Sequence, residues 1–218
     1  IYYRHSDEDV LRGQALILGA PDTPYANGCY VFDLHFPADY PHRPPVAVFL
    51  SGDPTTRFNP NLYKKGKVCL SVLNTWQGPQ WSGCQTISSV LLLIRSDVLG
   101  VKEPLLNEPG ITRDHPDFEG YHKIVAFKNV SVGIIGAAYS LVSGRSMAWK
   151  ALHSVMARHL VGALERVRST STVPDTTDIA IRFYDQSCLA DYASARTQAG
   201  WLLEEHGQAL ADLGEIDV

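Results

Sequence analysis

The sequence predicts an α+β fold in which helices are segregated from an antiparallel sheet. Three observations carry that prediction. Short strand-like runs bounded by turn formers fill the first 50 residues, an irregular Pro- and Gly-rich stretch occupies 51 to 85, and helical periodicity dominates from 86 onward. No internal repeat is visible.

"GQALILG" (13 to 19) is an apolar run closed by glycine, and "APDTPYANG" (20 to 28) is dense in turn residues. "CYVFDLHF" (29 to 36) has strand composition, and the preceding Asn27-Gly28 pair supplies a turn, so the two runs read as antiparallel neighbours. Pro37, Pro41, Pro44 and Pro45 then force an extended or turning path before "VAVFL" resumes a strand, giving three strands by residue 50. Thr86 is a helix cap for 86 to 99, where Ile87, Val90, Leu91, Ile94 and Val98 recur at helical spacing. A second helix starts near 118 with Tyr121, Ile124, Val125, Val132, Ile135, Tyr139 and Val142 in period, although Gly133 and Gly136 weaken it. Met147 to Val167 reads as an amphipathic helix, 168 to 177 as a linker, and the remainder up to Leu213 as helical.

A chain of 218 residues with 45% hydrophobic content accommodates one sizeable domain with an appendage, or two small ones. A net charge of -4, with Lys64, Lys65 and Lys67 as the longest basic run, argues against nucleic acid and anionic membranes as partners. No apolar run reaches the roughly 18 residues of a membrane span, and no signal peptide is visible. Cys29, Cys69, Cys84 and Cys188 form no Cys-x-x-Cys pair, which disfavours a metal site and suits a reducing, cytoplasmic or nuclear setting. The start at Ile1, without methionine, suggests a piece of a longer protein.

Within the irregular stretch, "FNPNLYKKGKVCLSVL" (58 to 73) sets Cys69 between Val68 and Leu70. A lone cysteine there is either a buried small hydrophobe or a nucleophile. "FPADYPHRPPVAVF", "FNPNLYKKGKVCLSVL", Trp81 and "TISSVLLLI", in this order and spacing, resemble the ubiquitin-conjugating domain over about 12 to 142. "DTPYANGCYVFD", "RFNPNLYKKGKVCLSVLNTWQG" and "EPLLNEPG" are most like the conjugating domain of giant hybrid proteins of the BRUCE (Apollon) type. The resemblance implies a UBC-like fold, an antiparallel meander sheet packed with helices, with residues 1 to 142 as the conjugating domain and 143 to 218 as a helical C-terminal extension.

It further implies that Cys69 accepts ubiquitin as a thioester from an activating enzyme and passes it to lysine, directly or through a ligase. No cofactor or metal is expected, since ATP is used by the upstream activating enzyme. Asn61, eight positions before Cys69, stands at the family's place for an oxyanion donor, and it also suits a turn asparagine bonding its own backbone. Asn59 replaces the family's histidine as a loop-shaping residue. Gly66 makes the turn and Leu70 packs. Ser71 stands where many members are acidic. Glu108, preceded by Asn107, matches the carboxylate that positions the incoming lysine; the alternative is a solvated loop acid.

Phe49 is either a ligase-contact aromatic or a strand-end core residue. Trp76 in "NTWQGPQW" either gates the site or anchors its segment. Ser82, Gly83 and Cys84 replace the family's Ser-Pro-Ala. His115 and His122 receive no catalytic role, and Cys29 and Cys188 read as packing. Two other functions stand beside conjugation of ubiquitin: conjugation of another ubiquitin-like modifier, and a non-catalytic binding module of the same fold, against which the presence of Cys69 argues.

Overall fold

The computed structural model describes residues 1–171 and 175–216. Strands β1 (Tyr2–His5), β2 (Arg12–Leu18), β3 (Cys29–His35) and β4 (Val46–Phe49) form an antiparallel meander in sequence order. The sheet therefore has one strand more than expected. Tyr2 to His5 pair with Leu16 to Gly13, and this four-residue strand is too short and polar to announce itself. In the middle of the sheet Ala15, Leu16 and Ile17 lie opposite Phe32, Val31 and Tyr30, and all six are buried. Consecutive burial means that both faces are covered, which explains why these strands read as continuous apolar runs instead of alternating ones.

Helix α1 (Ile87–Leu93) is capped as its sequence requires: the Thr86 side chain accepts the Ser89 amide at 3.3 Å, and Ser89 Oγ accepts the Thr86 amide at 3.2 Å. It continues into a π-helical turn, Ile94–Val98, and Val90, Leu91, Ile94 and Val98 are buried as the spacing requires. Helix α2 (Phe118–Lys128) runs through a wider π-helical segment, Asn129–Gly136, into α3 (Ala137–Val142). That segment holds Gly133 and Gly136, the residues that weakened the helical reading. Gly133 lies against the Asn129 side chain, whose Oδ1 accepts from Tyr30 Oη at 2.6 Å and whose Nδ2 donates to the Ala26 carbonyl at 2.9 Å. A buried amide thus joins helix to sheet at the widened turn. By length and composition the run Phe118–Val142 could cross a membrane, contrary to the expectation that no such stretch exists; here it is a core helix, more than half buried.

Helix α4 (Lys150–Ser169) and α5 (Tyr192–Glu215) pack together and bear out the helical character of the extension. The entry to α4 is fixed by Gln14 on β2, 1% exposed, which donates to Asp33 and to the Met147 carbonyl and accepts the Trp149 amide. Between the two helices the expected helical composition is overturned. Strands β5 (Thr176–Ile181) and β6 (Gln186–Asp191) form a separate hairpin that packs on α2. "TTDIAI" carries β-branched residues, but the hairpin lacks a glycine or asparagine turn; instead Tyr184 and Asp185 themselves adopt φ of 65° and 48°. Part of the expected linker, residues 172 to 174, lies outside the described residues.

Candidate active site

The Cys69 loop is assembled by backbone and side-chain bonds that the Asn-Pro-Asn sequence makes possible. Asn59 is fully buried; its Nδ2 donates to Tyr25 Oη and to the Val98 carbonyl, both at 3.0 Å, and its Oδ1 accepts the Asn61 amide at 2.9 Å. It thereby clamps the loop to the end of the π-helical turn after α1. Asn61 in turn donates Nδ2 to the Cys69 carbonyl at 2.7 Å and accepts from Asn107 Nδ2 at 3.0 Å. Asn107 also donates to the Asp97 carbonyl at 2.7 Å. A chain of three asparagine amides therefore runs from the α1 end through Cys69 to the short 3-10 turn Pro104–Asn107, immediately before Glu108.

Gly66 shapes the turn between Asn61 and Cys69. Its φ is +86°, and a methyl group there would lie 2.8 Å from the Phe49 carbonyl oxygen. The close approach lets Phe49 donate its amide to Gly66 at 2.8 Å, tying the loop to β4. Past Cys69, Thr75 Oγ1 accepts the Leu70 amide at 2.9 Å and lies 3.0 Å from the Val68 carbonyl, bracketing the cysteine from its other side.

Cys69 is 1% exposed, and Leu70 is buried beside it. Trp76 is half-buried, its carbonyl accepting from Gln80, while Asn74 accepts the Trp81 amide, so the segment from 74 to 81 is folded on itself. Phe49 is 5% exposed among the rings of Tyr30, Phe32 and Phe58. It occupies the core position, and offers a ligase no surface in this conformation. Ser82, Gly83 and Cys84 are exposed, Ser71 is half-buried, and Cys29 and Cys188 are buried. His122 Nε2 faces the Leu105 amide at 3.4 Å, on the 3-10 turn that leads to Glu108. Burial holds this imidazole below its ordinary value, against the opposing pull of Glu103 and Glu119.

Glu108 is not a free loop acid. Its Oε2 accepts a short hydrogen bond from the Tyr184 hydroxyl at the tip of the β5–β6 hairpin. Burial, and then this bond, push the Tyr184 phenol well above its ordinary value, so it remains a donor. The tip is seated on the Cys69 loop: the Arg57 guanidinium lies 3.7 Å from the Tyr63 ring centre and 4.4 Å from that of Tyr184. Lys64 Nζ donates to the carbonyls of Tyr184 and Asp185 at 3.0 and 3.3 Å. Gln186 accepts the Arg57 amide.

Sequence reasoning placed Cys69, Asn59, Asn61, Gly66 and Glu108, and the structure brings these positions into one loop system. It missed Thr75, Arg57 and Tyr184, and treated Asn107 only as a neighbour of Glu108. The one available signal was the strand-forming "TTDIAI" that precedes the turn carrying Tyr184.

A family profile described as "Ubiquitin-conjugating enzyme" matches residues 1–112. The chain is 42% identical over 151 residues to ubiquitin-conjugating enzyme E2 Z of Danio rerio, covering 68% of this chain and 44% of that protein. It is 49% identical over 119 residues to the dual E2 ubiquitin-conjugating enzyme/E3 ubiquitin-protein ligase BIRC6 of Homo sapiens, covering 52% of this chain and 2% of that protein. A probable ubiquitin-conjugating enzyme, E2 R521 of Acanthamoeba polyphaga mimivirus, is 36% identical over 171 residues, covering 73% of this chain and 12% of that protein. The chain thus spans less than half the length of these curated relatives.

Proposed function

Because the chain belongs to the ubiquitin-conjugating enzyme family, we propose that it carries ubiquitin as a thioester on Cys69 and transfers it to lysine amines. In the first step the Cys69 thiol loses its proton and its sulfur attacks the carbonyl carbon of ubiquitin held as a thioester on an activating enzyme; a new C–S bond forms, the C–S bond to the activating enzyme breaks, and the departing thiolate takes up the proton. In the second, a neutral lysine amine attacks the same carbon, the C–N bond forms, the C–S bond breaks, and Cys69 departs as thiolate while the amine's proton passes to a base or to water. ATP is spent upstream, and the chain itself needs no cofactor.

The observation that supports this reading is the asparagine chain from Cys69 through Asn61 to Asn107, which couples the thiol-bearing loop to the turn that leads to Glu108. Asn61 holds the Cys69 carbonyl at rest, so we assign it first to the geometry of the loop, with oxyanion donation open to it when that bond is exchanged. Glu108 supplies the carboxylate that receives and orients the incoming ammonium group. Because Cys69 is 1% exposed, charging requires the residues that cover it to give way. With Phe49 in the core, a ligase would dock through the exposed Ser82–Cys84 loop, or the protein would combine conjugating and ligase activities, as the name of the human relative describes for that protein.

The test is incubation with activating enzyme, ATP and ubiquitin. A reductant-sensitive adduct is expected on the wild-type chain and none on Cys69→Ala. An adduct with a different modifier alone would move the reading to that modifier, and no adduct with any would support a non-catalytic module.

A further inference from the structure

The carboxylate proposed to receive the acceptor lysine hangs from a mobile three-bond stem, and glutamate loses more side-chain freedom on being fixed than a shorter acid would. The structure supplies a restraint from a distant part of the chain. Tyr184 bonds Oε2 of Glu108, and among the described residues no hydrogen bond is made to Oε1. Its own placement is over-determined: a bulky residue at φ of 65° is a backbone outlier, and it persists here under the Arg57 stack and the Lys64 bond to its carbonyl.

We propose that Tyr184 is a positioning residue for lysine transfer, its hydroxyl fixing Glu108 so that the free carboxylate oxygen meets the incoming amine. This rests on the reading of Cys69 and Glu108 given above. The hairpin is accordingly a working part of the transfer site, contributed by the region beyond the strands and helices that carry the family motifs. No atom of Tyr184 enters the bond changes: the amine's proton still leaves through Glu108 or water, and the phenol keeps its own.

The experiment is single-turnover discharge of ubiquitin-charged enzyme to free lysine and, separately, to hydroxylamine, whose nitrogen is already unprotonated at neutral pH. Wild type, Tyr184→Phe, Glu108→Gln and the double variant are compared across pH, with thermal melts to verify folding. Tyr184→Phe is expected to slow lysine discharge about tenfold, as loss of a hydrogen bond to a charged group would, and to leave hydroxylamine discharge near wild type. The double variant is expected to be no slower than Glu108→Gln, because Tyr184 acts through that carboxylate. Lysine discharge at the wild-type rate in Tyr184→Phe, equal losses with both nucleophiles, or additive losses in the double variant would each overturn the proposal while leaving thioester formation on Cys69 intact. Failure of the wild type to charge would overturn both.

Discussion

The side-chain amide of Asn61 donates to the Cys69 carbonyl at 2.7 Å, and the Cys69 amide donates back to the Asn61 carbonyl at 2.8 Å, closing the two residues into a reciprocal pair. Asn61→Ala leaves the Cys69 carbonyl without its side-chain partner and should cost about 1–3 kcal/mol. Asn61→Asp should be at least as harmful, because an anionic oxygen then faces that carbonyl. Denaturant melts measure the stability loss, and lysine discharge should slow in both variants even where charging survives.

Asn59 should be the more structural of the two asparagines. Alanine there strips partners from the Asn61 amide, Tyr25 Oη and the Val98 carbonyl in a fully buried place. A loss on the order of 3 kcal/mol is expected from several buried groups left unpaired. Equilibrium unfolding checks this, and an Asn59→Ala protein as stable as wild type would contradict the clamp.

Gly66→Ala tests the turn. The methyl would meet the Phe49 carbonyl at 2.8 Å in a left-handed backbone, which costs roughly 1–2 kcal/mol for the conformation alone. For a chain of this size that corresponds to a fall in Tm of roughly 2–8 °C, readable by calorimetry.

Stability should fall on mild acidification. Burial is the largest influence on both His122 and His159 and lowers each below 6.5 in the folded chain. The unfolded chain therefore binds protons first as pH drops, so the contribution is complete above about 6.5 and is lost as pH falls through the lower folded values. Urea melts between pH 7.5 and 5 should show this slope, and His122→Gln should flatten part of it.

Thiol labelling should separate three of the four cysteines. Cys84 is exposed and should react first with a small maleimide, while Cys69 should be slow in the resting chain because of its burial. Cys29 should be last, since burial pushes its thiol up to about 12 and removes the reactive thiolate. Time-resolved mass spectrometry of labelled peptides gives the order.

What the sequence made legible was local. Cys69, Asn61, Gly66 and the Thr86 cap each declare themselves through spacing or residue type within a dozen positions. The α1 helix and strands β2 to β4 followed from periodicity and punctuation. Strand β1 is too short for a period, and the π-helical widening of the long core helix showed only as misplaced glycines. The hairpin was hidden because its turn uses Tyr184 and Asp185 at positive φ, where sequence rules look for glycine or asparagine. Its contacts are hidden for another reason: Tyr184 meets Glu108 across 76 residues and Lys64 across 120, and no local pattern reports such a meeting.

Those separations have a consequence for the order in which the molecule is made. A ribosome that has delivered residues up to Val142 has already released Cys69, Asn61 and Glu108, together with every strand of the main sheet. The phenol that meets Glu108 and the carbonyls that occupy Lys64 emerge only some forty residues later, so the meander can be complete while its thiol loop still lacks a neighbour. The nascent chain passes through a stage in which the nucleophile is present and the tyrosine is not, and emergence of the hairpin closes that stage.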